Sequence, residues 1–208
     1  MAEQYSFSEM FAVRAPPEPA EQVERWVSPA WFGPRDNELA ACVEIAMILA
    51  RSENAVVALS HAFVYSTGVE FELLAQARGL SSRDAHGLVH EQRFQFEDGE
   101  PSPSFLRFGL ELPSGERVSN LDPWRRQTDP DDPPTGPVLR PHGGSGGGTS
   151  GNGHAFMHPG YWLWPLLEAG TIRVTCEWPI VSIPTTTIEL DGTRLRAAAE
   201  RVVCLWPG

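Results

Sequence analysis

Two pairs of histidines have the spacing that a metal site on a helix would need. His86 and His90 are four residues apart, and so are His154 and His158. On a helix, residues four apart share a face, so each pair could offer two imidazoles to one zinc ion. Glu91 directly follows His90 and would be the nearest carboxylate ligand. A small metal-dependent hydrolase that uses either pair is therefore one hypothesis for the function of the chain.

Both pairs lack features that a zinc enzyme needs. Neither fits H-E-x-x-H, because Gly87 and Ala155 stand where the glutamate would be. Pro159 directly follows the second pair, and the residue before a proline is disfavoured in a helix, which predicts a loop there. Six histidines give such spacings easily, and a closed zinc site takes four ligands. We therefore predict a solvated helix face for the first pair, and no bound metal or cofactor.

A glycine-rich stretch matches two catalytic patterns by sequence alone. Residues 143–147 fit G-x-S-x-G, and residues 146–151 fit G-x-G-x-x-G. Each pattern works only between a strand and a helix, where the turn exposes a serine or aims a helix N-terminus at phosphate. Arg-Pro-His precedes this stretch and Asn-Gly-His-Ala follows it, so neither context is predicted. We assign no catalytic residue.

Four tryptophans are the candidate binding residues. Trp162 and Trp164 are two apart and would share one face of a strand, where they could form a platform for a carbohydrate or peptide. Trp26 and Trp31 lie in a proline-rich N-terminal segment that is too apolar for a free tail. Large aromatic side chains mostly supply core area in a small protein, so the sequence favours core over platform for the C-terminal pair.

The elements that must position these residues are mainly β-strands. Residues 171–178 alternate between polar and apolar, which is the period of a half-buried antiparallel strand. Behind Asp191, a good N-cap, apolar residues recur at helical spacing as far as Trp206, which predicts a C-terminal helix anchored by that tryptophan. The fold class predicted is an antiparallel β-sandwich with a C-terminal α-helix.

The middle of the chain supports the same class. Residues 39–78 are apolar and punctuated by turns, which predicts a three-stranded meander, although residues 38–51 fit a helix equally well. A short helix is predicted around residues 82–91, and a hairpin around the Pro-Ser-Gly-Glu turn at 113–116.

Domain boundaries follow from the prolines and glycines. Residues 1–35 are predicted to form an extended N-terminal arm, docked through its aromatic side chains, and residues 36–208 a single sandwich domain. Within that domain, residues 122–155 are rich in Pro, Asp, Gly and Ser and are predicted to be a flexible surface loop.

Composition excludes several classes of function. The chain has 208 residues, a net charge of −11 and no lysine, so Schiff-base chemistry and a Walker A phosphate loop are excluded. The negative charge disfavours nucleic acid. Three cysteines without C-x-x-C spacing, and no segment long and apolar enough to span a membrane, predict a cytoplasmic protein with free thiols.

Several motifs also resemble a family of uncharacterised bacterial proteins that is common in actinobacteria. They are the Trp-Leu-Trp-Pro-Leu run at 162–166, Cys-Glu-Trp-Pro at 176–179 and Leu-Trp-Pro at 205–207. The resemblance covers roughly residues 26–207 and implies a bacterial origin, but no site residues.

Three functions compete at this point. The favoured hypothesis is a non-enzymatic protein-interaction module, since no ordered catalytic motif is found and the chain is acidic and rich in loops. The first alternative is a structural subunit of a phage-like or secretion assembly, in which the arm would reach a neighbour. The second alternative is the metal-dependent hydrolase. A monomer with an unknown protein partner, and no nucleic-acid or membrane partner, is expected.

Overall fold

The protein is a sandwich of antiparallel β-sheets, as the sequence predicts. A computed structural model describes residues 28–91, 101–122, 132–150 and 152–206. Its helices are α1 (Ser82–Glu91) and α2 (Gly192–Ala198). Its strands are, in chain order, β1 (Glu38–Leu39), β2 (Ala41–Arg51), β3 (Ala55–Val64), β4 (Val69–Ala77), β5 (Arg107–Glu111), β6 (Arg117–Ser119), β7 (Val138–Ser150), β8 (His154–Trp164), β9 (Thr171–Trp178), β10 (Ile183–Asp191) and β11 (Val203–Cys204).

Two sheets enclose the core, and a short ribbon lies outside them. One sheet has the strand order β2-β3-β4-β8-β7 and the other β10-β9-β5-β6, while β1 and β11 pair with no other strand among the described residues. Apolar side chains from the facing sides of both sheets form one buried cluster, which α1 and α2 extend through Ala85, Leu88 and Leu195. No helix in the described parts of the chain is long and apolar enough to cross a membrane.

The predicted meander is confirmed, and its first member is a strand. β2, β3 and β4 pair in antiparallel order. In β2, Ala41 and Val43 are buried while Cys42 and Glu44 are exposed, a period of two that a helix would not produce. The predicted helix at 82–91 and the hairpin of β5 and β6 are also confirmed.

The prediction of a flexible loop at 122–155 is wrong for the glycine-rich part. Residues 138–150 form β7, the longest strand described, and pair with β8 along almost their whole length. Sequence reasoning failed here because glycine has no intrinsic preference for a strand. Pairing with β8 holds this segment as a strand, although its composition does not favour one. Residues 123–131 and 151 lie outside the described residues.

The predicted C-terminal helix is present but shorter than its apolar pattern. Asp191 is its N-cap, with a carboxylate oxygen accepting a hydrogen bond from the backbone N–H of Thr193 at 2.9 Å. Regular helix ends at Ala198, one 3₁₀ turn follows, and the chain then extends into β11. Trp206 is consequently 66% exposed, so the prediction that it anchors the helix in the core is wrong.

Replacing Trp206 by alanine is therefore expected to change the free energy of unfolding little. An exposed side chain away from the core typically contributes within about 0.5 kcal/mol, whereas a buried tryptophan would cost about 3–5 kcal/mol. Urea denaturation monitored by circular dichroism separates these values. A loss above 2 kcal/mol would mean that the indole is covered in solution.

Candidate functional site

A one-residue bulge decides which side chains reach the outer face of the five-stranded sheet. Leu59 and His61 pair with adjacent residues of β4, Leu73 and Glu72, so Ser60 is an extra residue without a partner opposite. A β-bulge of this kind shifts the in-and-out alternation of a strand by one position. His61 thereby faces outward, directly across from Glu72.

The sequence alone predicts unbroken alternation through this strand, and that prediction is wrong. The pattern puts residues 57, 59, 61, 63 and 65 on one face. Val57 and Leu59 are indeed in the core, but Ala62 and Val64 follow them there. His61 and the two aromatic residues after it therefore belong to the outer face.

Histidines and glutamates from four strands meet on that face. Glu70 and Glu72 lie two apart on β4 and share the outer side. The Nε2 atom of His61 lies 3.5 Å from a carboxylate oxygen of Glu72, and Nδ1 of His158 lies 3.8 Å from the other. Nδ1 of His142, on β7, lies 3.4 Å from Glu70. We call these five residues the histidine–glutamate cluster.

The hydrogen bonds of Ser60 and His61 do not form a nucleophile–base pair. The Ser60 hydroxyl lies 3.1 Å from Nδ1 of His61, but it donates its hydrogen bond to the Glu72 carbonyl oxygen at 2.8 Å, so His61 does not serve as its base. Over the described parts of the chain, no three His, Cys, Asp or Glu side chains are placed to hold a metal ion. What the cluster offers is hydrogen bonding along a sheet face, and ion pairing where an imidazole is protonated.

Residues 28–35, which we call the strap, cover one end of this face. They were expected to be extended, but the backbone N–H of Phe32 donates to the carbonyl of Pro29 at 2.9 Å, which closes a turn around Ala30 and Trp31. Trp31 is only 4% exposed. The aromatic docking predicted for the arm is therefore present at Trp31, while residues 1–27, including Trp26, lie outside the described residues.

The strap lies in a groove made by one residue of β8 and two of β7. The indole N–H of Trp162 donates to the Ala30 carbonyl at 3.0 Å. The guanidinium carbon of Arg140 lies 4.2 Å from the Phe32 ring centroid and 5.5 Å from that of Trp31, both within cation–π range. We call Arg140, His142 and Trp162 the strap groove.

Gly33 passes close to His142 where the strap crosses the groove. A Cβ at Gly33 would lie 3.0 Å from Nε2 of His142, closer than ordinary van der Waals contact. The imidazole whose Nδ1 lies 3.4 Å from Glu70 therefore has its Nε2 atom close to Gly33 of the strap. Strap, groove and histidine–glutamate cluster form one continuous surface.

Two charged side chains are buried at this surface. Among the described residues, the buried charged side chains are Glu70 and Arg140, and the register places Trp162 between them. Burial lowers the pKa of Arg140 from its ordinary value. Burial, followed by the charges of Glu70 and Glu38, raises the pKa of Tyr65, whose ring packs edge-on against Trp162. Buried charges carry a desolvation cost and are typical of functional surfaces.

The glycines of β7 allow this close approach. Gly143 has φ +59°, and a Cβ there would overlap the Glu70 carboxylate. On β8, a Cβ at Gly160 would overlap the carbonyl oxygen of His142. The absence of side chains at these glycines therefore allows β7 to lie close to β8 and to Glu70. This close packing explains why a strand has the glycine-rich composition of a linker.

The remaining predicted site residues do not join this surface as metal ligands. The rings of His86 and His90 are stacked 6.1 Å apart on an exposed face of α1, as a solvated helix face predicts. His154 and His158 lie on β8 and not in a loop; four residue steps along the strand place them about 13 Å apart, too far to share one ion. Trp164, half-buried, ends β8 opposite Val138.

A second surface stands out at the ribbon of β1 and β11. Leu39 is 58% exposed, Val203 53% and Trp206 66%. The ribbon continues past β11, because the backbone N–H of Leu205 donates to the Asn37 carbonyl at 2.7 Å. We call the apolar residues Leu39, Val203, Leu205 and Trp206 the ribbon patch.

Sequence reasoning missed most of the histidine–glutamate cluster. Glu70 and Glu72 carried a visible signal, since they alternate with the apolar residues of β4. His61 gave none, because the bulge reverses its expected face, and His142 was hidden in a stretch interpreted as a loop.

Comparison of the chain with protein-family models, curated proteins and solved structures finds no match in any of the three. Function must therefore be argued from the strap groove, the histidine–glutamate cluster and the ribbon patch.

Proposed function

We propose that the protein is a non-enzymatic interaction module that binds a turn-forming aromatic segment of a protein partner in the strap groove. One observation carries the proposal: the groove already holds such a segment, Pro-Ala-Trp-Phe-Gly, supplied by the chain itself. The three described cysteines are free thiols, which agrees with a reducing, cytoplasmic location.

The contacts suit reversible binding. One indole hydrogen bond fixes the strap backbone at Ala30, and Arg140 stacks against Phe32 and Trp31. Aromatic and arginine side chains of this kind dominate the energy of protein interfaces. The strap is not a strand of either sheet, so a partner segment of the same chemistry can replace it without unfolding a sheet.

The strap competes with any partner for the groove. A segment tethered by a short linker has an effective local concentration in the millimolar range. A free segment with the same contacts must overcome this advantage. The strap therefore sets the concentration that a partner segment needs in order to bind. Removing the aromatic side chains of the strap lowers that concentration.

Binding can be measured with a fluorescent peptide of residues 28–35 and two full-length proteins. In the variant with Trp31→Ala and Phe32→Ala, the chain's own strap no longer fills the groove. By fluorescence anisotropy, we expect the peptide to bind this variant at least about tenfold more tightly than the unaltered chain, because the competitor is gone.

Two matched controls make the result specific. A peptide with alanine at the Trp31 and Phe32 positions should not bind, and adding Arg140→Ala to the acceptor should weaken binding at least about tenfold, as expected for loss of stacked cation–π contacts. Failure of the peptide to bind a strap variant that melts cooperatively would contradict the proposed function.

A further inference from the structure

A cleft of about 350 Å³ lies at one end of the five-stranded sheet, where β2 turns into β3. Residues 51–56, residues 76–78 and His154 line it, and we call it the turn cleft. His154 and Trp162 are eight residue steps apart on β8, about 26 Å. The turn cleft is therefore separate from the strap groove, and an inference about it does not rest on the proposed function.

The strand register brings basic side chains from three parts of the chain to the turn cleft. Arg51 pairs with Val56 of β3, and Val56 pairs with Gln76 of β4. Arg78 comes two residues after Gln76 and shares its face of the sheet. The pairing of β4 with β8 places His154 beside Arg78. Two strand spacings, about 10 Å, separate β2 from β4, so two guanidinium groups and an imidazole border one cleft.

Arg78 is held in place by the turn between β2 and β3. Its Nη2 atom donates to the Glu53 carbonyl oxygen at 3.1 Å, and its backbone N–H donates to the Asn54 carbonyl at 2.9 Å. A guanidinium group has five N–H donors, and the bond to Glu53 uses one of them. Among the described residues, no carboxylate forms an ion pair with Arg51 or Arg78.

A second cleft shows the opposite arrangement. It lies on the four-stranded sheet, has a volume of about 540 Å³, and is lined by Arg117 and Arg173 among others. Arg117 lies 2.7 Å and Arg173 2.6 Å from the carboxylate of Glu111. Hydrogen bonds from these two arginines lower the pKa of Glu111. The arginines of the second cleft are thus paired within the chain, whereas those of the turn cleft are not.

We propose that the turn cleft binds a small organic molecule that carries a phosphate group. The forked donors of arginine match the oxygens of a phosphate and bind it bidentately. The volume exceeds what a phosphate group fills, since one water takes about 30 Å³, and it lies within the range of about 300–1,000 Å³ of small-molecule sites. Val56 offers apolar surface to the organic part of the ligand.

The test is a nuclear magnetic resonance titration of the full-length, ¹⁵N-labelled protein. Inorganic phosphate and phenyl phosphate are added separately at fixed pH and ionic strength. The amide signals of residues 51–56 and 76–78 are expected to shift and to saturate with both probes. Phenyl phosphate should bind at least about fivefold more tightly, because its ring buries apolar surface.

Two variants with the same loss of charge make the test specific. Arg51→Gln should weaken the binding of phenyl phosphate at least about tenfold, as expected for loss of a charge-assisted hydrogen bond. Arg117→Gln, in the second cleft, should leave the affinity within about twofold, because salt screens a distant exposed charge. The same spectra show whether each variant is folded.

Two results would overturn the proposal. Shifts that do not saturate, or equal weakening by Arg51→Gln and Arg117→Gln, would show general attraction of anions and no site. Saturable binding of both probes with equal affinity would overturn the organic part of the ligand, because the apolar lining would then contribute nothing.

Discussion

Replacing Gly160 by alanine is expected to lower the free energy of unfolding by about 3 kcal/mol, the upper range for forcing extra volume into a packed site. The added Cβ would overlap the carbonyl oxygen of His142 and lie 2.7 Å from the backbone nitrogen of Gly144. Both atoms belong to the backbone of β7, so no side chain can rotate away. Urea denaturation followed by circular dichroism measures the loss.

The matched control is Gly87→Ala in the interior of α1. No heavy atom lies within 4 Å of the position its Cβ would take, and the helix conformation suits alanine. This change should stabilise the protein by about 0.5–1 kcal/mol through helix propensity. Equal effects of the two substitutions would show that β7 does not pack closely on β8.

Replacing Asn120 by leucine is expected to cost about 3–5 kcal/mol, because several buried polar groups would each lose a partner at 1–3 kcal/mol. The amide oxygen of Asn120 accepts from the backbone N–H of Phe108 at 2.9 Å. Its nitrogen donates to the Leu106 carbonyl at 2.8 Å and to the Tyr161 hydroxyl at 3.0 Å. Asn120 thus links β5 to β8 across the core. Thermal and urea unfolding should both show the loss.

Tyr161→Phe is the control for this network. Burial raises the pKa of Tyr161 to about 12, so its hydroxyl remains neutral at physiological pH and removing it removes no charge. Only one partner of Asn120 is lost, and the expected cost is about 1 kcal/mol. If the asparagine variant lost no more than the phenylalanine variant, the amide would not be the centre of the network.

The fold was predictable wherever side chains alternate cleanly. Residues 171–178 show the period of two that β9 confirms, and Asp191 marks the start of α2 because its carboxylate can cap a helix. Prediction failed at Trp206, where the helical apolar pattern continues after the helix has ended. Residue types alone do not indicate that Val203 and Cys204 pair with β1 instead.

The candidate site was predictable only in fragments. Trp31 was predicted to dock and Trp162 was a candidate binding residue for which a core position was favoured; the structure brings the two to one groove. The roles of His142 and Gly143 could not be predicted from the sequence, since a glycine-rich strand is specified by its neighbour on β8 and not by its own propensity.

The bulge at Ser60 also has a consequence at the level of the gene. Ser60 is encoded by one extra codon in β3. Before it the even-numbered residues face out, and after it the odd-numbered residues do. Loss of that codon would leave Leu59 and His61 as successive inward and outward residues of a regular strand, so His61 and Phe63 would stay on the outer face and Ala62 in the core. A single-codon deletion at Ser60 should therefore keep the outer surface, because the remaining residues of β3 already pair one to one with β4.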